Sequence, residues 1–168
     1  MDIDADMRRR GEFPVDRPMD ALRTDHQFVR KLFDRYFKAG DVAEKREVGP
    51  HILLLLEMHT ALEETVFYQR VRDVDPALVA RCEKEHEQAK PLIERLKIMD
   101  EGDPQTEQLF HQLAEAMLAH IENEERQLFP KVEQAHLDLH TIGQEMLASE
   151  TRLIAGHAPR TRAPGMRP

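Results

Sequence analysis

The chain predicts an all-α protein: an up-down-up-down four-helix bundle followed by a short extra C-terminal helix. Three observations lead there. Apolar residues recur at three- and four-residue steps through five segments, and no stretch alternates as a strand would. Asp-Pro pairs, a capping-box sequence and Gly40 punctuate those segments, and links this short set neighbouring helices antiparallel. The second pair of segments also repeats the first, so one hairpin is built twice.

The first helix covers 18–38, with Leu22, Val29, Phe33 and Phe37 as its apolar stripe and Gly40 as its stop. The second begins near Asp41, where "DVAE" has the form of a capping box, and reaches Val71. Gly49-Pro50 should bend or restart it, because proline supplies no amide to the helix ladder. The third opens with Asp75 as N-cap and Pro76 at the first helical position and runs to Met99. The fourth opens the same way at Asp103-Pro104 and runs to Gln134. A fifth, over 137–155, carries Leu139, Ile142, Met146 and Leu153 on one face. The expected organisation is a disordered N-terminal segment over 1–16, the bundle over 17–135, the C-terminal helix over 136–156 and a disordered Pro/Arg tail over 157–168.

A chain of 168 residues makes one domain with a real core. Its net charge of −8 argues against general nucleic-acid binding, which needs a Lys/Arg excess to meet phosphates. No apolar run approaches a membrane span and the N-terminus has no signal core, so the expectation is a cytoplasmic protein without membrane partners. The one cysteine, Cys82, excludes a disulfide framework and a thiolate zinc site. Nine histidines are many for this length.

"DHQFVRKLFDRY" (25–36) aligns with "EHEQAKPLIERL" (85–96), placing His26 on His86, Arg30 on Lys90 and Phe33 on Ile93. "HTALEE" (59–64) likewise matches "HIENEE" (120–125). In all four helices a His takes a slot that packing alone would give to Leu, and in the second and fourth a Glu, Glu63 or Glu124, follows four residues on along the same face. Depths along the bundle agree within about one turn for three of the four His, and the Gly49-Pro50 break is expected to absorb the misfit in the first hairpin. Two buried carboxylates without a cation would cost several kcal/mol each. The set His26, His59, Glu63, His86, His120 and Glu124 therefore reads as a metal site. Nitrogen and oxygen donors favour iron or manganese, and six side chains suit two metals bridged by carboxylates.

That ordered set resembles the hemerythrin HHE cation-binding domain family, through His26, "HTALEETVFY" (59–68), "EKEHEQAKPLIERL" (83–96) and "HIENEERQLFPKV" (120–132). The resemblance spans 20–135. It implies two non-haem iron ions, oxo- or hydroxo-bridged, with His26 and His59 on one, His86 and His120 on the other, and Glu63 and Glu124 bridging. The chain departs from the oxygen carriers of the family in lacking a fifth His on the third helix, where Cys82 and Lys90 stand. It departs from the F-box-linked iron sensors in having Thr60 after the second-helix His. Two His per iron imply a near-symmetric pair with exchangeable positions on both, hence binding or reduction of a small oxidant (dioxygen, peroxide or nitric oxide). An iron sensor or store, and a metal-free helical interaction module, are the alternatives.

Other residues are assigned humbler places. Cys82 reads as a small core residue, and Pro91 as a kink in the third helix. Tyr36 and Tyr68 come near the centre, with packing the simpler role for Tyr36. His136 and His140 form an i,i+4 pair at the surface, His51, His111 and His157 look solvated, and the C-terminal helix offers a dimer contact. Glu64 and Glu125 point about 100° off their neighbours and read as surface charges within reach of a ligating His.

Overall fold

The structure, a computed structural model, describes residues 12–157. Helix α1 is Pro18–Lys38, opened by a proline whose fixed φ suits the first turn. Helix α2 starts as Val42–Leu62, passes through a π-helical turn at Glu63–Phe67 and ends in Tyr68–Val71. Helix α3 is Pro76–Leu96. Helix α4 repeats the form of α2: Pro104–Asn123, a π turn at Glu124–Leu128, then Phe129–Gln134. Helix α5 is Leu139–His157. The three Asp caps hold as read: Asp41, Asp75 and Asp103 accept hydrogen bonds from the amides of Glu44, Leu78 and Gln105.

Helix α1 pairs with α2 and α3 with α4, and α5 lies across α1, α2 and the π turn of α2. Two apolar clusters fill the bundle. One gathers Val29, Phe33, Ile52, Leu56, Ile93, Phe110 and Met117, and the other Leu22, Leu62, Phe67, Val79, Leu128, Phe129 and Val132. The four in-line histidines fall between them along every helix, so a polar layer divides the core. No helix among the described residues is long and apolar enough to cross a membrane.

Several expectations need correction. Helix α2 runs unbroken through Gly49 and Pro50, and α3 through Pro91. Gly49 instead marks a close approach, since a Cβ there would stand 2.6 Å from Glu101 Oε1 and 3.3 Å from the Phe110 ring. The expected disordered ends fall mostly outside the described residues; of those described, Phe13, Pro14 and Val15 are partly buried and Asp16 is exposed. A Cβ on Gly143 of α5 would lie 1.9 Å from the Val15 carbonyl oxygen, so glycine is what lets this segment cross the helix. His140 Nδ1 donates to Asp16 beside it at 2.6 Å, while His136 sits in a left-handed turn with φ 54°, and the two do not form a site. The apolar face of α5, with Ile142 and Met146, is buried in its own bundle.

Candidate metal centre

One helix supplies each histidine: α1 gives His26, α2 His59, α3 His86 and α4 His120, all at most 4 % exposed. Their Nε2 atoms face each other in two pairs, His26 to His59 at 3.1 Å and His86 to His120 at 3.0 Å. Glu63 and Glu124, fully buried, lie between the pairs. Glu63 Oε1 is against His59 Nε2 and 3.8 Å from His26 Nε2, while Oε2 is 3.7 Å from His86 Nε2. Glu124 Oε1 is 3.3 Å from His26 Nε2, and Oε2 is 3.5 Å from His120 Nε2. Each carboxylate thus turns one oxygen to each imidazole pair.

Both carboxylates stand at the first residue of a π turn, closed by the amide of Tyr68 on the Glu63 carbonyl and of Phe129 on the Glu124 carbonyl. In an α-helix the residue five places after Glu63 would point roughly 140° away. The wider turn brings it back to the same side. Tyr68 Oη consequently enters the site, donating to Glu124 Oε2 at 2.5 Å and lying 3.2 Å and 3.4 Å from Nε2 of His86 and His120. Its counterpart after Glu124 is Phe129, whose ring stacks on His26 with centroids 5.8 Å apart and planes at 2°. The two halves therefore match in backbone and differ in one oxygen.

The outer nitrogens meet carboxylates that the sequence reading left out or left at the surface. His59 Nδ1 donates to Asp25 at 2.9 Å, His26 Nδ1 to Glu125 at 3.0 Å and His86 Nδ1 to Glu64 at 3.1 Å. Glu85 faces His120 Nδ1 at 3.6 Å. Glu64 and Glu125 are partly exposed but bridge inward to a histidine and outward to Lys90 and Arg30. Because ionised carboxylates only accept, Nδ1 carries the proton in each bonded imidazole. Cys82 is buried beside Tyr68 in the apolar cluster, and Tyr36 packs on Phe110 about three helical turns beyond His26.

The electrostatics are those of a cation site. Burial works against charge on His26, yet Glu124, Glu125 and Glu63 outweigh it and lift its pKa to about 11. The same contest, burial against Glu124 and Glu85, leaves His120 at about 10. Burial against Glu63 and Asp25 leaves His59 at about 9. Burial would raise Glu63, but the surrounding imidazoles hold it well below the usual carboxylate range. His26 and Arg30 hold Glu125 near about 2 against its partial burial. Burial and the neighbouring carboxylates push the Tyr68 phenol and the Cys82 thiol up, so both stay protonated. Both oxygens of Glu63 and Oε1 of Glu124 accept no hydrogen bond although buried. Orphan carboxylate oxygens at the focus of four imidazole nitrogens fit a metal ion.

A four-helix bundle with a His/carboxylate cluster in its core defines a cation-binding helical domain. This chain belongs to the hemerythrin family: the model for the hemerythrin HHE cation binding domain matches residues 17–132. A crystal structure of a hemerythrin HHE cation binding domain-containing protein from Mycobacterium kansasii shares the fold, with a TM-score of 0.69 and 21% sequence identity over 82% of this chain and 86% of that one. A DNA nickase of Nostoc sp. is 29% identical over 114 residues, 67% of this chain. The chain spans about a third of that relative, 32% of its length.

Proposed function

We propose that the chain binds two iron ions through His26, His59, Glu63, His86, His120 and Glu124, and uses them to bind or reduce dioxygen, peroxide or nitric oxide. One observation carries the reading: three buried carboxylate oxygens without hydrogen-bond partners lie among four converging imidazole nitrogens. His26 and His59 would hold one ion and His86 and His120 the other, with each Glu offering an oxygen to both. Iron or manganese suits this donor set, and when bound supplies electron transfer to the oxidant.

Tyr68 changes the expectation of a near-symmetric pair. Its phenol stands where the His86/His120 ion would be held and can serve as a further donor in place of the missing fifth His. Phe129 offers no donor to the His26/His59 side, which leaves the exchangeable position there, against an aromatic wall. Without metal, Tyr68 keeps its proton and donates it to Glu124 at 2.5 Å; as a phenolate donor to iron(III) it would give that proton up. The action of the Nostoc relative on DNA is not carried across, because a net charge of −8 gives phosphates no cationic excess.

An iron sensor is the second reading, favoured by α5 lying on the π turn that begins at Glu63, where occupancy would be felt. Metal analysis with an absorption spectrum, followed by consumption of peroxide or nitric oxide under reductant, tests both. Two iron per chain with consumption supports the first reading, and iron without consumption supports the second. Protein from metal-replete medium holding no iron, manganese or zinc would refute both.

A further inference from the structure

The carboxylates behind the histidines follow a cyclic order. Asp25 of α1 holds His59 of α2, Glu64 of α2 holds His86 of α3, Glu85 of α3 faces His120 of α4, and Glu125 of α4 returns to His26 of α1. Every helix braces the imidazole of the next, and the last braces the first. Three links are closed, at 2.9, 3.0 and 3.1 Å. The fourth stands open at 3.6 Å, and both its ends, Glu85 Oε1 and His120 Nδ1, are buried without a hydrogen-bond partner.

We propose that Asp25, Glu64 and Glu125 are positioning residues that fix three imidazoles with Nε2 inward, and that the open link makes His120 the exchangeable ligand of the four. This rests on the metal reading above. A carboxylate accepts only, so the imidazole it holds must carry its proton on Nδ1 and turn a lone pair inward, as a metal requires. An amide in its place can donate to Nδ1, which admits the tautomer with a proton on Nε2, where the lone pair is needed. The outer tethers repeat the asymmetry. Glu125 is tied to Arg30 at 2.9 Å and Glu64 to Lys90 at 3.2 Å, each cation four residues after a histidine of the site. Among the described residues, the cation paired with Glu85 is Arg81, at 3.7 Å. Glu85 is therefore loosely held at both ends, and His120 is the imidazole with least to stop it turning.

The test measures iron(II) affinity by competition with a chromophoric chelator and reads the imidazole nitrogens of the zinc-loaded protein by ¹⁵N NMR. Asp25→Asn, Glu64→Gln and Glu125→Gln should each weaken binding by about 10–100-fold, whereas Glu85→Gln should cost less than about threefold. Asp25→Glu and Glu125→Asp, which keep an acceptor, should recover part of the loss. In the unsubstituted protein, three Nδ1–H protons should exchange slowly with solvent and that of His120 fast, a readout that no folding defect can mimic. Wild-type affinity in the three amide variants, or four equally protected Nδ1–H protons, would overturn the inference while leaving the metal reading intact. An unsubstituted protein that takes up neither iron nor zinc would overturn both.

Discussion

Replacing Tyr68 with phenylalanine removes one oxygen from the centre and changes little else. The lost group donates a 2.5 Å hydrogen bond to Glu124 Oε2, and the other oxygen of that carboxylate has no hydrogen-bond partner already. Tyr68→Phe thus leaves a fully buried carboxylate faced only by Nε2 of His26 at 3.3 Å and of His120 at 3.5 Å. A hydrogen bond to a charged group contributes about 1.5–3 kcal/mol. For a chain of this size, 1 kcal/mol moves the melting temperature by roughly 2–4 °C. The metal-free variant should therefore melt roughly 3–12 °C below the parent by calorimetry. In the iron(III) form, a phenolate donor should give the parent a visible charge-transfer band, and the variant should lack it. A variant that melts within about 1 °C of the parent and keeps that band would show that the phenol neither stabilises Glu124 nor reaches the iron.

Two further outcomes follow from the same geometry. Chelation should lower the melting temperature at neutral pH, by roughly 10 °C if metal had been present at about a thousandfold excess over its Kd, because binding at that excess contributes about 4 kcal/mol; identical melts with and without chelator would count against a structural contribution. Gly143→Ala sets a methyl 1.9 Å from the Val15 carbonyl oxygen, so residues 13–16 must lift from α5; stability should fall by about 1–3 kcal/mol, and limited proteolysis should cut first near Val15.

The helices and the six inner residues were legible because both obey the period of the α-helix. His26 and Val29, or His59 and Glu63, share a face by simple spacing, and the repeat placed the two halves against each other. Tyr68 was hard to place because the π turn breaks that period at Glu63, and no residue in "EETVF" announces a wider turn. Glu64 and Glu125 point away from the histidine of their own helix, so a single-helix reading sends them to the surface; they serve the histidine of the next. The signal was present in pairs: "DH" and "EH" before the first histidine of each half, and "EE" at the end of each His-x-x-x-Glu. Gly49-Pro50 misled for a different reason. Proline removes one hydrogen bond, but packing of α2 against Phe110 and Glu101 keeps the helix continuous across it.

Charge explains why the layer tolerates so many acids. Glu63 and Glu124 inside, with Asp25, Glu64, Glu85 and Glu125 behind the histidines, bring six negative charges, and Arg30 and Lys90 offset two. Two divalent cations restore neutrality, and protons on His26, His59 and His120 offset three of the four remaining charges. Metal and protons therefore compete for one deficit. The sign of the pH dependence follows. His59, His120 and His26 titrate at about 9, 10 and 11 in the folded chain against an ordinary 6.5, so their contribution to metal-free stability is fully present below about 6.5 and is lost as pH rises through 9–11. Chelated protein should melt progressively lower between pH 7 and 10, while iron(II) affinity climbs over the same interval. At pH 7.5 the three raised imidazoles are protonated without metal, so loading two iron(II) ions should release about three protons. Calorimetric titration in buffers of different ionisation enthalpy counts them. Release of none, together with a metal-free melting temperature that is flat from pH 7 to 10, would mean that the imidazoles are already neutral and that something other than protons balances the six carboxylates.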